Sequence, residues 1–315
     1  MKNLIVSSSP HIRTKTTTQK IMLDVLIALL PATVAGVVLF GWKALAIVGV
    51  CVAGAVLSEF LFNLICKKKQ TVADLSAAVT GLILALCLPS STQLWQCALG
   101  SVFAIIVVKC LFGGLGCNFA NPAATARVFL LIAFAGSVAG GVATNFTPTD
   151  LVAGATPLEL IKNGRIEELP KLLDMALGNR GGAIGETCAP ALVLGGLYLI
   201  IRRVIHWHTP AIYIGTVFLL SLAVTQDPIL ALYEVLGGGL LIAAFFMITD
   251  YVSTPINKVG KMVFAFGCGI ITVLIRFWGS YPEGVSFAIL LMNILSPYIE
   301  KLCTKKPLGK AGKKA

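Results

Sequence analysis

The stretch Ile105–Phe119, IIVVKCLFGGLGCNF, resembles a second stretch far along the chain, Ile271–Phe287, ITVLIRFWGSYPEGVSF. In both, an apolar helical segment ends at a basic residue, Lys109 or Arg276, followed by an aromatic residue and a glycine-containing turn. A phenylalanine then enters the next apolar segment. The likeness predicts a chain of two related halves; the alternative is that apolar segments align with each other by chance.

Composition places this chain in a membrane. Of its 315 residues, 57% are hydrophobic and only 12% are charged, with a mean hydropathy of +0.89. A soluble domain needs a more highly charged surface. The net charge of +11 comes from Lys and Arg at the termini and in short loops, not from an amphipathic face interleaved with aromatics. The expected partner is therefore the lipid bilayer and not nucleic acid.

Nine cysteines are scattered through the apolar segments without a C-x-x-C pair, and no histidine stands at metal-ligand spacing. We interpret the cysteines as small apolar residues of the core. The sequence predicts neither a disulfide framework nor a protein-bound metal.

Ten apolar runs have roughly the length needed to cross a bilayer, about 20 residues. The third is short and ends at Pro89, which has no N–H group to donate. The chain is therefore predicted to be an all-α polytopic membrane protein with ten transmembrane helices, five on each side of residues 142–187. The runs fall at approximately 21–40, 43–65, 75–89, 94–112, 122–141, 188–206, 210–226, 229–249, 259–277 and 284–302.

The distribution of Lys and Arg predicts the orientation of these helices. With the N-terminus inside, the cytoplasmic segments receive Lys67–Lys69 and the basic tail, whereas the opposite side keeps Lys43 and the mixed-charge central interval. Both termini are thus predicted to be cytoplasmic. The first twenty residues are polar and lack the features of a cleavable signal peptide.

Five helices on each side of an external interval place the two halves in opposite orientations. Lys109 then lies at a cytoplasmic helix end and Arg276 at an external one, as inverted repeats require. In such folds the functional site lies between the halves. The predicted divisions are a cytoplasmic N-terminus with the first five-helix repeat (1–141), an external loop (142–187), the second five-helix repeat (188–303) and a basic cytoplasmic tail (304–315).

A glycine-rich turn, FGGLGCNFANPAATAR, occupies residues 112–127. Its glycines permit a sharp turn or the close approach of a ligand, and Asn118 and Asn121 offer amide donors and acceptors. One interpretation is a helix connection in which Asn121 is the N-cap and Pro122 begins the next helix. The other is a polar, planar ligand held by the two amides.

Several ionisable residues lie within or at the ends of apolar runs. Charges at depth cost about 2.5–3.5 kcal/mol on insertion scales and often mark pathways or paired sites. Some of these residues are near predicted interfaces, where long side chains reach water. Both interpretations remain open for the set, of which Glu59 lies deepest: Asp24, Glu59, Lys109, Arg127 and Asp250.

The segment Asp150–Pro157, DLVAGATP, lies in the polar interval. Its composition alone is typical of a turn. An exposed Thr156 would nevertheless be able to accept a covalent modification, because its small neighbours leave the hydroxyl accessible.

The same segment resembles the flavinylation motif D-x-x-(S/T)-G-A-T, with Ala153 where Ser or Thr is usual. With the ten apolar runs and Gly116–Ala123, GCNFANPA, it makes the whole chain similar to a known family. That family comprises the D subunits of Rnf electron-transport complexes and the B subunits of sodium-pumping NADH:quinone reductases.

The resemblance implies covalent FMN. A magnesium-dependent flavin transferase would join FMN through its phosphate to the hydroxyl of Thr156, in a motif that includes Asp150, Gly154 and Ala155.

The resemblance also implies a second flavin, a non-covalent riboflavin on the cytoplasmic side, near Asn118, Asn121 and Asp250. The complex would be an ion-translocating ferredoxin:NAD oxidoreductase of the bacterial inner membrane. It would move Na⁺ or H⁺, with ferredoxin and NADH bound by its other subunits. The alternatives are the B subunit of a quinone reductase and a cofactor-free inverted-repeat solute transporter or channel, which leaves the motif unexplained.

Overall fold

A computed structural model describes residues 16–139 and 156–304. Within these residues the chain is helical and contains no β-strand. Two short 3-10 helices, Val72–Asp74 and Ile166–Glu168, accompany the α-helices. The α-helices are Thr18–Phe40 (α1), Trp42–Ile65 (α2), Ser76–Leu86 (α3), Leu94–Cys110 (α4), Pro122–Ala133 (α5), Ala135–Val138 (α6), Pro157–Lys162 (α7), Leu172–Leu177 (α8), Ala189–Ile201 (α9), His208–Thr225 (α10), Pro228–Leu236 (α11), Leu240–Met247 (α12), Lys258–Trp278 (α13) and Val285–Cys303 (α14).

Five of these helices, α1, α2, α10, α13 and α14, are long and apolar enough to cross a membrane. Helices α11 and α12 together pass the same test but are bent by 64° at the break between them. Four further apolar helices, α3, α4, α5 and α9, are shorter than a full span. The chain is therefore a polytopic membrane protein, and each of the ten predicted runs contains a helix.

Several predicted runs are longer than the helices inside them. The run at 122–141 contains α5, which stops at Ala133 because Phe134 (φ −134°, ψ 46°) leaves the helical region. The run at 229–249 is interrupted because Gly238 and Gly239 adopt positive φ angles of 63° and 66°. The third run is short, as predicted, and its helix ends at Leu86.

Small residues bring the helices of the two halves into close contact. Helix α1 packs against α9, and α5 packs against α14. At the first contact, a Cβ atom on Gly195 would lie 2.1 Å from the carbonyl oxygen of Ala28. Such close approach of helix backbones is typical of membrane helices packed on glycine.

Within each half, one long helix packs against two later elements. Helix α2 contacts α3 and α4, and α10 contacts α11 and α13. The buried core runs continuously through both halves and includes the whole of α12.

Candidate functional site

The glycine-rich turn after α4 forms as the sequence indicates. Gly113, Gly114 and Gly116 have φ angles of 122°, 95° and 91°, values that other residues rarely adopt. Asn121 is the N-cap of α5, as predicted: its Oδ1 accepts hydrogen bonds from the N–H groups of Ala123 (3.1 Å) and Ala124 (3.2 Å). The cap fixes the direction in which α5 leaves the turn.

The other end of the Asn121 amide reaches the second half of the chain. Its Nδ2 donates to the carbonyl oxygen of Met247 at 3.3 Å. Met247 is the last residue of α12, three positions before Asp250. One side chain therefore caps a helix of the first half and ties it to the broken helix of the second.

Asn118 and Asp250 flank this link. Asn118 Nδ2 donates to the carbonyl of Ala120 at 3.0 Å. The Asp250 carboxylate accepts from Ser253 Oγ (2.8 Å) and from the N–H of Val252 (3.4 Å). Burial raises the pKa of the Asp250 carboxyl, and its hydrogen bonds offset only part of that effect.

Asn118, Asn121 and Asp250 line one cleft between the two halves. It contains about 840 Å³ of empty space, counting the space at its mouth. Its walls are mostly apolar, with a few polar side chains, which is the usual character of a small-molecule site. Other parts of the wall come from α1, α3, α9 and α12 and from the loops after α9 and α12.

Lys109 also lines this cleft, in the last turn of α4. The sequence predicts Lys109 near a membrane interface, but in the structure it is buried, with 2% of its surface exposed. Its Nζ lies 2.9 Å from Glu59 Oε2 in an ion pair between α4 and α2. The position is tolerated because the charge is paired.

Thr156 is the N-cap of α7, where its Oγ1 accepts from the N–H of Glu159 at 3.3 Å. It is 5% exposed, so the expectation of an exposed hydroxyl is wrong for this folded chain. The reason is that α7 buries Leu158 and Leu160 and carries its own cap inward. The other predicted motif residues, Asp150, Gly154 and Ala155, lie outside the described residues.

Helix α7 borders a second, smaller cleft of about 390 Å³. Lys162 Nζ donates to the carbonyl of Gly279 at 2.6 Å and so holds the end of α7 against the loop after α13. This cleft joins the Thr156 segment to a buried charge pair of the second half. Its walls are Leu158, Ile161, Lys162, Glu234, Arg276, Phe277 and Pro282.

Buried charges surround the break between α11 and α12. Arg276 pairs with Glu234 at 2.9 Å. Arg127 contacts two carboxylates, Glu186 at 3.1 Å and Glu283. Burial, together with the second carboxylate on the same guanidinium, raises the pKa of Glu283 to about 7 against the opposing effect of Arg127.

The sequence profile of the NQR2, RnfD, RnfE family matches residues 5–309. The chain belongs to this family. It is 47% identical over 310 residues to the D subunit of the Na⁺-translocating ferredoxin:NAD⁺ oxidoreductase complex of Acetobacterium woodii, covering 98% of this chain and 96% of that one. It is 40% identical over 327 residues to the D subunit of the proton-translocating ferredoxin:NAD⁺ oxidoreductase complex of Clostridium ljungdahlii (98% and 97%). The D subunit of an ion-translocating oxidoreductase complex from Stutzerimonas stutzeri is 36% identical over 335 residues (94% and 93%).

Asn118, Asn121 and Asp250, which the resemblance grouped together, line the same cleft in the structure, and Lys109, which the sequence did not connect with them, lines it too. Glu59 and Lys109 were both singled out as ionisable, yet they are 50 positions apart and nothing in the sequence joined them. One feature of the sequence could have indicated that Lys109 is buried in an ion pair. It is the basic residue that occurs at the corresponding place in Ile105–Phe119 and in Ile271–Phe287. In the structure both basic residues, Lys109 and Arg276, are buried in ion pairs.

Proposed function

We propose that this chain is the D subunit of an ion-translocating ferredoxin:NAD⁺ oxidoreductase, a membrane protein that passes electrons through bound flavins. The near-complete coverage of D subunits from three bacteria supports this assignment over the B subunit of a quinone reductase. Ferredoxin and NAD⁺ bind to other subunits of the complex. One relative is named as a subunit of a Na⁺-translocating complex and another as a subunit of a proton-translocating complex, so the proposed coupling ion is Na⁺ or H⁺.

We propose ten membrane crossings arranged as two inverted five-helix repeats, with both termini cytoplasmic and residues 142–187 external. Contacts between corresponding helices support this arrangement: α1 meets α9, and α5 meets α14. These are the first and last helices of each half. Four of the ten crossings are short and one is broken, which is typical of transporter folds that bind ligands near the midplane.

The cleft between the halves is the proposed riboflavin site, held by Asn118, Asn121 and Asp250. Apolar walls suit the faces of a planar ring, and amides and a carboxylate suit the polar edge of its pyrimidine portion. Asp250 can accept the ring N–H, because its carboxylate has more acceptor positions than its two present hydrogen bonds use. When bound, the flavin supplies electron transfer, and the protein supplies its position and electrostatic surroundings.

Thr156 is the proposed attachment residue for FMN, with Asp150, Gly154 and Ala155 recognised by a flavin transferase. A phosphoester bond would join Thr156 Oγ1 to the FMN phosphate. The remaining phosphate oxygens could then accept the Glu159 N–H in place of the hydroxyl. Because Thr156 is buried once α7 has packed, the transferase acts before α7 reaches its final position.

The first experiment is the mass of the peptide that contains Thr156, from protein made together with an active flavin transferase. A gain equal to FMN less one water is expected, and Thr156→Ala abolishes it. Thr149→Ala, which removes a hydroxyl of the same polar interval outside the motif, keeps the gain. An unmodified Thr156 in the presence of active transferase would favour a cofactor-free inverted-repeat transporter.

Ion movement is proposed to follow alternating access of the two halves, gated by the redox state of the flavins. A reduced, negatively charged flavin attracts a cation, and this biases one arrangement of the halves over the other. Ion uptake by the assembled complex is therefore expected to fail with Thr156→Ala. Unchanged uptake in that variant would refute the coupling.

A further inference from the structure

Lys109 occupies an unusual position in the wall of the large cleft. It lies in the π-helical end of α4, Phe103–Cys110, immediately before the glycine-rich turn. Local π-helical geometry often occurs at functional sites, since it shifts the direction of the side chains that follow. The carbonyl of Lys109 accepts from the N–H of Gly114, so the turn that carries Asn118 closes directly on this residue.

Two of the three N–H groups of the Lys109 ammonium are held by the protein. One points to Glu59 Oε2 at 2.9 Å and another to Ser76 Oγ at 2.6 Å. No further acceptor contacts Nζ within residues 16–139 and 156–304, so the third donor is available. Ser76 lines the same cleft, so the hydrogen bond between Lys109 and Ser76 joins two of its lining residues.

The partners of Lys109 hold it in place from behind. Glu59 Oε1 accepts from Thr71 Oγ1 at 2.6 Å, and Thr71 in turn accepts from Asn63 at 3.0 Å. Both carboxylate oxygens of Glu59 are thus occupied, one by Lys109 and the other by Thr71. A buried ammonium fixed by such a network loses little further conformational freedom when a ligand arrives.

The cleft wall contains one cation, Lys109, and one carboxylate, Asp250, among the described lining residues. Charge interactions are strong at such a buried wall, where the effective dielectric constant is far below that of water. Asp250 would favour the N–H edge of an oxidised ring. Lys109 would favour a ring that has gained negative charge.

We propose that Lys109 is a flavin-binding residue that stabilises the reduced, anionic form of the ring in this cleft. The inference rests on the proposed riboflavin site. When riboflavin is bound, two electrons supplied through the other subunits of the complex and one proton from water would convert the oxidised ring into its reduced anion, with a negative charge near N1 and the adjacent carbonyl oxygen. The free N–H of Lys109 would donate to that edge and disfavour uptake of a second proton.

The test uses the full-length protein made without flavin transferase, so that non-covalent riboflavin is the only flavin that contributes to the absorbance. Absorbance is recorded during reductive titration at several pH values. The informative pair is the wild-type protein against the double variant, Glu59→Gln combined with Lys109→Met, because neither protein contains an unpaired buried charge at this position. Removing the ammonium is expected to lower the ratio of reduced to oxidised ring at least tenfold at a fixed potential, about 30 mV for two electrons.

Two further variants separate this role from a structural one. Lys109→Arg, which keeps the charge, restores most of the potential, and Lys258→Met, which removes an exposed lysine at the start of α13, leaves it unchanged. The potential of the double variant is also expected to depend more steeply on pH, because its ring takes up two protons. A merely structural Lys109 would change how much riboflavin is bound but not the potential of the bound fraction.

The outcomes distinguish the two proposals. Suppose that the wild-type protein retains riboflavin and that the bound riboflavin has the same redox potential in both members of the pair. This result would overturn the role of Lys109 and leave the proposed riboflavin site intact. Wild-type protein that binds no added riboflavin would overturn both.

Discussion

At the scale of single residues, Asn121 performs two separable tasks. It caps α5 through Oδ1 and reaches the second half of the chain through Nδ2. Asn121→Ala removes both, and loss of an N-cap costs about 0.5–2 kcal/mol. Asn121→Ser keeps a cap and is expected to recover most of the thermal stability.

Neither Asn121 variant should retain riboflavin. The fluorescence of flavin released from the purified protein would measure this. Full retention by the serine variant would show that the amide does not hold the ring.

Glu283 makes stability depend on pH. Its pKa rises from an ordinary 4.5 to about 7 in the folded chain, so between these values the folded protein binds a proton that the unfolded chain lacks. Stability therefore falls as pH rises through this window. We expect a higher midpoint of thermal unfolding in detergent at pH 5 than at pH 8, with a smaller difference for Glu283→Gln. An equal difference in the two proteins would exclude Glu283 as the source.

Local features of single polar residues in the cleft were predictable from the sequence, but the burial of these residues against other helices was not. Asn121 followed by Pro122 is a local N-cap pattern, and the structure confirms it. The burial of Lys109 depends on Glu59, which belongs to another helix. The burial of Thr156 depends on how α7 packs, which composition cannot reveal.

At the scale of elements, the break between α11 and α12 depends on glycine. Gly239 has a φ of 66°, and a Cβ there would lie 2.7 Å from Glu186 Oε1. Gly239→Ala should destabilise the protein by more than about 1 kcal/mol, since a left-handed conformation alone costs roughly 1–2 kcal/mol for other residues. Gly215→Ala, in α10 with open space around it, is the control and should be neutral or slightly stabilising. Equal midpoints of unfolding for the two variants would contradict this explanation.

Helix existence was predictable because hydrophobic runs are long, whereas helix ends were not. Apolar residues continue past Ala133, but Phe134 leaves the helix there. The bend of 64° likewise follows from two positive φ angles in a triple glycine, Gly237–Gly239. A hydropathy pattern carries no information on such backbone choices, because it records the polarity of side chains and not the φ and ψ angles of the backbone.

At the scale of the whole molecule, the proposed orientation can be measured with two native thiols. Cys66 and Cys117 are exposed, contrary to the expectation that the cysteines are buried, because both lie beyond helix ends. They fall on the proposed cytoplasmic side. An impermeant maleimide should label them in inside-out vesicles but not in intact cells from which any outer membrane has been removed. Arg165→Cys, at an exposed position of the proposed external interval, should show the reverse; labelling of all three from one side would refute the arrangement.

The contacts of Arg127 impose an order on how the protein can be made. The ribosome delivers Arg127 59 residues before Glu186 and 156 residues before Glu283. Until then, α5 carries a cation into the membrane with neither of its eventual carboxylates. A nascent chain halted before Glu186 therefore keeps Arg127 without either carboxylate, and we expect quality-control proteases to degrade it quickly. Arg127→Leu should lengthen the lifetime of this truncated chain in a pulse-chase experiment. Burial of Arg127 in the first half therefore depends on carboxylates that are synthesised only after that half is complete.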